Sequence, residues 1–146
     1  MKKHILIVLS FFLCTSFIFA QEWQTNFEAA KEMASDENKP IILVFQGSDW
    51  CAPCIKLDKE IWSTDSFKAY AKDHYILLQA DFPRRKKNKL SQDQTAQNAK
   101  LAEKYNKNGI FPFVVILDSN GKVLGQTGYK KIAVADYIET INSFVK

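Results

Sequence analysis

The sequence predicts an α/β fold: one domain with a central mixed sheet of four strands flanked by helices. Three observations lead there. Helical and strand-like periodicities alternate along the chain, with no internal repeat and no low-complexity tract. The run Ile41-Ile42-Leu43-Val44-Phe45 is apolar at every position, which suits a strand covered on both faces. Asp118-Ser119-Asn120-Gly121 separates two further strand-like segments and places Asn-Gly at a hairpin turn.

The first 20 of the 146 residues stand apart from this pattern. Lys2 and Lys3 precede the apolar stretch 5–19, and Ala20 offers a small residue for cleavage, the layout of a secretory signal peptide at 1–20 ahead of a domain at 21–146. A retained membrane anchor is the alternative, since the stretch is near the short limit for spanning a bilayer. Cys14 lies inside it behind Leu13, not behind a small residue, and makes a poor lipid-attachment site. Loss of the leader removes two lysines and no acids, taking the formal charge from +4 to +2. So small an excess does not imply a nucleic-acid partner.

The domain begins with Thr25 and Glu28 as a capping box, and Trp23, Phe27, Ala30 and Ala34 at helical spacing. Asn38-Lys39-Pro40 ends this first helix, and residues 41–45 form the central strand. Gln46-Gly47-Ser48-Asp49 breaks the strand, and Cys51 opens a helix running to about Ile61. Ser63, Thr64 and Asp65 cap a short helix bearing Phe67, Tyr70 and Ala71. Residues 75–80 read as a second strand, followed by a basic loop at 82–89. That loop reads as a solvated surface segment, with recognition of an acidic partner as the alternative. Ser91 with Gln94 starts a longer helix with Leu101 and Tyr105 on its inner face, and Gly109 marks its end region. Strands at 113–117 and 122–126 form the hairpin. A last helix presents Val134, Tyr137, Ile138, Ile141 and Val145 as its buried stripe. A right-handed crossover makes the first two strands parallel, and the hairpin lies antiparallel on the other side.

The chemistry is concentrated in Trp50-Cys51-Ala52-Pro53-Cys54. Two thiols one helical turn apart, directly after a strand, can exchange a disulfide with a partner, and a helix N-terminus favours the nucleophilic thiolate. Cys51 attacks and Cys54 resolves. A structural zinc site would need four ligands, and beyond these two cysteines the domain has only His74 and carboxylates. A purely structural disulfide closing so short a loop would restrict the unfolded chain little. Thiolate binding of a soft ion such as Cu(I) is a further alternative.

The element order, Trp50-Cys51-Ala52-Pro53-Cys54 and the later Phe111-Pro112-Phe113 together resemble the thioredoxin superfamily over nearly all of 21–146. Gly47-Ser48-Asp49-Trp50-Cys51 and Ile55-Lys56-Leu57-Asp58-Lys59-Glu60 are most similar to secreted bacterial thioredoxin-like proteins and to the C-terminal domain of the membrane disulfide reductase DsbD. A more distant likeness extends to small disulfide proteins of the endoplasmic reticulum. The resemblance implies a cis Pro112 facing the cysteine pair, with the backbone of Phe111 left free to pair with an extended substrate. It also implies a docking surface shaped by Trp50.

Two departures stand out. Thioredoxins carry a buried Asp six residues before the first motif cysteine, and here Phe45 stands there. Asp58, one helical turn after Cys54, matches an acid in the DsbD domain and becomes the expected proton acceptor for the resolving thiol. A solvent-exposed helix acid is its alternative reading. Phe113 replaces the small hydroxyl residue that many relatives have, implying a narrower or more apolar groove.

The expectation is a periplasmic or secreted thiol:disulfide oxidoreductase without metal or organic cofactor. Its partners are protein disulfide substrates and an electron-donating thiol protein. Contact with a membrane comes only through an uncleaved leader or a membrane redox partner. Relatives with Pro before the second cysteine tend to be reductants, whereas strong oxidants more often carry His there, so Pro53 implies reductase or isomerase-supporting work. The rival is a non-catalytic module that holds clients in the groove near Pro112.

Overall fold

The computed structural model describes residues 22–146, so the expected leader at 1–20 and Cys14 lie outside the described residues. Its sheet consists of β1 (Trp23–Gln24), β2 (Ile41–Gln46), β3 (Ile76–Asp81), β4 (Phe113–Leu117) and β5 (Val123–Thr127), in the spatial order β1-β3-β2-β4-β5. β2 and β3 are parallel, and the β4–β5 hairpin is antiparallel on the far side of β2, as expected. The expected four strands become five, because Trp23 and Gln24 pair in parallel with Leu77 and Leu78. Trp23 therefore belongs to an edge strand and not to the first helix. Its indole meets Trp62 edge to face with ring centroids 5.9 Å apart, a tertiary contact that local spacing does not encode.

The helices are α1 (Phe27–Asp36), α2 (Ala52–Leu57), α3 (Asp65–His74), α4 (Gln92–Tyr105) and α5 (Val134–Asn142). Asn26, not Thr25, caps α1, its Oδ1 accepting from Ala29 N–H. Asn38 closes α1 in the left-handed region at φ 52°, and Lys39 N–H returns to Ala34 O. Thr64 and Ser91 cap α3 and α4 through their hydroxyls. The helix expected from Cys51 to about Ile61 is continuous but of two kinds. α2 passes into a π-helical turn, Asp58–Trp62, closed by Ser63 N–H to Asp58 O at 2.8 Å. Gly121, left-handed at φ 79°, completes the hairpin turn, and its N–H donates to Asp118 O. Val145 lies past the end of α5 and is 41% exposed, so it leaves the predicted buried stripe.

Period-two alternation along β2 divides the core. Ile42 and Val44 face Leu57, Ile61, Trp62, Phe67 and Tyr137, whereas Ile41, Leu43 and Phe45 face Ala30, Ala34, Leu101 and Tyr105. α2, α3 and α5 thus cover one face of the sheet, and α1 and α4 the other. All five residues from Ile41 to Phe45 are at most 1% exposed, which identifies β2 as the central strand. Burying each large apolar side chain contributes roughly 1.5–3 kcal/mol, so the segment that leads into the cysteine motif leaves from the most firmly held part of the sheet.

Candidate active site

At the end of β2 the chain turns sharply. Gly47 O accepts from both Trp50 N–H and Cys51 N–H, which swings the backbone from the strand into α2. Cys51 is the N-cap of α2, and its Sγ accepts from Cys54 N–H at 3.3 Å. Cys51 and Cys54 form a disulfide, and each is 4% exposed. Once the bond is reduced, the same N–H and the aligned amides of the first turn face the Cys51 sulfur and favour its thiolate. Pro53, within the first turn of α2, occupies a position where a missing N–H leaves no helical bond unmade.

The aromatic wall beside Cys51 is built from three segments. Trp50 Nε1–H donates to Phe82 O at 2.7 Å, and the Trp50 ring meets Phe111 edge to face at 5.5 Å. Phe82 also meets Phe111 edge to face, at 5.4 Å. The peptide bond between Phe111 and Pro112 is cis, as the resemblance implied, and Pro112 is buried. Gly47 makes room for this wall, since a Cβ there would fall 2.2 Å from Trp50 Cε2. Ile55 and Ile110, 50% and 47% exposed, directly follow Cys54 and precede Phe111 in the chain. Sequence reasoning missed both, because a lone surface isoleucine carries no signal until its neighbours are known.

On the other side of the disulfide, a cleft of about 270 Å³ is lined by Trp23, Gln46, Ser48, Cys54, Ile55, Asp58, Trp62 and Gln79. Asp58 is the carboxylate of this lining. It is exposed and accepts from Ser63 Oγ at 3.1 Å. Gln46 Nε2–H donates to Gln79 Oε1 across the floor of the sheet at 3.2 Å, a pair the sequence reading did not anticipate. Phe45 packs on the opposite face, 6.4 Å from the half-buried Phe113 ring. The cleft beside Cys54 therefore lacks an acid from β2.

Asp49 ties the site to the basic loop. Its carboxylate accepts from Arg84 N–H at 2.9 Å, Arg85 N–H at 3.0 Å and Asn88 Nδ2–H at 2.9 Å. Led by the Arg84 N–H bond, these donors and the charge of Arg85 hold the carboxyl below its ordinary range. The Arg84 guanidinium lies 3.7 Å over the Trp50 ring. Asp81, at the end of β3, accepts from Ser48 N–H and Ser48 Oγ–H, which steadies the turn from its other side.

The thioredoxin-like family model matches residues 22–119. Disulfide bond reductase DsbH of Chlamydia pneumoniae is 35% identical over 125 residues, spanning 86% of this chain and 73% of its own. A solved DsbH oxidoreductase superposes with a TM-score of 0.79 at 32% identity, covering 86% of this chain and 85% of that one. The C-terminal domain of Neisseria meningitidis DsbD in its oxidised form has a TM-score of 0.50 at 17% identity, covering 79% of this chain and 89% of that one, a likeness of fold alone. With its element order, its disulfide between cysteines three apart and these likenesses, the chain belongs to the thioredoxin-like family.

Proposed function

We infer that this protein is a thiol:disulfide oxidoreductase working in the reducing direction on disulfide-bonded proteins, in the periplasm or outside the cell. The observation that carries the reading is the Cys51–Cys54 disulfide at the start of α2, with Cys51 Sγ on the helix-capping position. In the dithiol form the Cys51 thiolate attacks a substrate disulfide. One Cys51–substrate bond forms, the substrate bond breaks, and one substrate thiolate leaves. Cys54, deprotonated by Asp58, then attacks Cys51 Sγ. The internal disulfide reforms, and the second substrate sulfur leaves as a thiol. Two electrons have passed to the substrate, and a donor thiol protein restores the dithiol by the same exchange.

Trp50, Phe111 and Pro112 form the substrate-binding wall in this reading, with exposed Ile55 and Ile110 beside them as apolar contacts. Asp58 is the proton acceptor because it lines the same cleft as Cys54, whereas Phe45 faces the other side of the sheet. The reducing direction is supported by the likeness to a disulfide bond reductase and by Pro53. Export is supported by the leader-like 1–20. In an insulin-reduction assay with dithiothreitol, the expected result is that residues 21–146 accelerate reduction and that Cys51→Ser abolishes the acceleration. Cys54→Ser should accumulate mixed disulfides with client proteins, whereas Cys51→Ser should accumulate few. Equal capture by the two variants would refute the catalytic reading in favour of a passive client-binding module.

A further inference from the structure

The basic loop following β3 is held against the active site as though its position mattered. Arg84, Arg85, Lys86, Lys87 and Lys89 are all exposed. Crowding five cations into so short a segment is electrostatically unfavourable, and a loop that merely needs solvation would relieve the repulsion by moving freely. This one is clasped. Asp49, two residues before Cys51, uses its carboxylate on the main-chain N–H groups of Arg84 and Arg85 and on the Asn88 amide. Trp50, one residue before Cys51, holds Phe82 O, and a 3-10 turn at Lys86–Asn88 shapes the loop tip.

The way the clasp is made leaves the cationic heads available. Among the described residues the ion pairs Lys31 with Glu28 and Lys39 with Glu37 both lie outside the loop. The Arg84 guanidinium carbon lies 3.7 Å from the centre of the Trp50 ring, a contact that engages no carboxylate and leaves its N–H donors for one. Asp49 bonds mainly to backbone, with the Arg85 charge also acting on it, and Asp81 is engaged by Ser48. The result is a positive platform at a fixed place beside the aromatic wall. Carboxylate side chains are the complement that such a platform recognises.

We propose that this loop docks an acidic segment of the protein substrate, placing a nearby substrate disulfide against Cys51. The proposal rests on the oxidoreductase reading and adds a substrate class to it. Docking of this kind acts mainly on the encounter rate, with a gain of about tenfold expected from a cluster of this size. It fades as the Debye length shrinks from about 30 Å at 0.01 M salt to about 3 Å at 1 M.

The test uses three disulfide peptides that share the residues around the cysteines and carry an added segment of Glu, Ser or Lys. The quantity read is the ratio of kcat/KM on the acidic peptide to that on the neutral one. Wild-type protein at low salt gives a ratio of about ten, the basic peptide falls below the neutral one, and high salt brings all three together. Lys86→Glu/Lys87→Glu/Lys89→Glu brings the ratio to one or below. Reduction of the neutral peptide by wild type, absent in Cys51→Ser, keeps the two claims separate. With that reduction intact, equal rates on the three peptides at low salt overturn the docking proposal alone. A preference that survives in the triple variant also overturns it. Equal peptide rates together with binding to anionic phospholipid vesicles, lost in the triple variant, would assign the loop to a membrane surface instead.

Discussion

Gly47→Ala is the sharpest probe of how the site is braced. Gly47 lies outside the left-handed backbone region, so the argument is steric alone: an added Cβ would sit 2.2, 2.5 and 2.6 Å from three atoms of the Trp50 indole. Ordinary van der Waals contact begins at about 3.4 Å, so the ring must move by more than an ångström. That ring is not free to move. It donates to Phe82 O at 2.7 Å, meets Phe111 at 5.5 Å and carries Arg84 at 3.7 Å. Loss of the hydrogen bond costs about 1 kcal/mol, the aromatic edge about 0.5–1.5 and the exposed cation contact about 0.5–1. The expected destabilisation is about 2–3.5 kcal/mol, or a fall in Tm of roughly 8–14 °C for a domain of this size. Thermal unfolding of the oxidised protein, followed by circular dichroism, reads it directly. The same substitution in a Trp50→Ala background should cost under about 0.5 kcal/mol, because the clashing ring is gone. An equal cost in both backgrounds, or none in either, would refute the bracing argument.

Asp58→Asn should slow release of the mixed disulfide by up to about a hundredfold near neutral pH while leaving Cys51 alkylation within a few-fold, both read by stopped flow. Unchanged release returns Asp58 to an ordinary surface acid. The Asp49 carboxyl is depressed in the folded protein, so its contribution is present above the ordinary carboxylate pKa and is lost as pH falls through the lower folded value. Amide exchange at Arg84 and Arg85, corrected for intrinsic rates, should therefore keep its protection from about pH 7 to about pH 5 and lose it in Asp49→Ala. Tyr137, whose hydroxyl donates to Gly128 O at 2.9 Å, has its phenol pushed up by burial. Its stabilising effect is full below the ordinary phenol value of about 10 and is lost at higher pH, and Tyr137→Phe should cost about 1–2 kcal/mol in denaturant unfolding at pH 7.

Residues 41–45 and the Asn120-Gly121 turn were legible as β2 and the hairpin because their signals are local: an unbroken apolar run, and a backbone conformation that glycine alone adopts cheaply. The dithiol was legible for the same reason. Trp23 was not, since its spacing to Phe27, Ala30 and Ala34 fits a helix while its partners Leu77 and Trp62 lie far along the chain. Thr25 and Asn26 are both competent caps, and nothing local separates adjacent candidates. The strand read at 75–80 is displaced by one residue to β3, because Tyr75 ends α3 with its N–H still bonded to Ala71 O. Within the site, the clasp from Asp49 to Arg84 and Arg85 crosses 35 and 36 residues of sequence. Until the fold closes, an acid before Cys51 and a basic run after β3 look like two unrelated solvated segments.

The shortest element of the sheet governs how the molecule can be tethered. β1 is parallel to β3, and β3 is parallel to β2, from whose C-terminal end the chain proceeds to Cys51. Trp23 stands level with Leu77 and Ile42, four residues or about 13 Å along the strand short of Gln46. A purification handle, surface linker or lipid-embedded segment joined at Glu22 is therefore joined at the outer edge of the sheet, toward the end opposite the disulfide. Immobilised this way, the protein presents its reactive cysteines outward, away from the support. Attachment through the loop at 84–89 would instead press them against it.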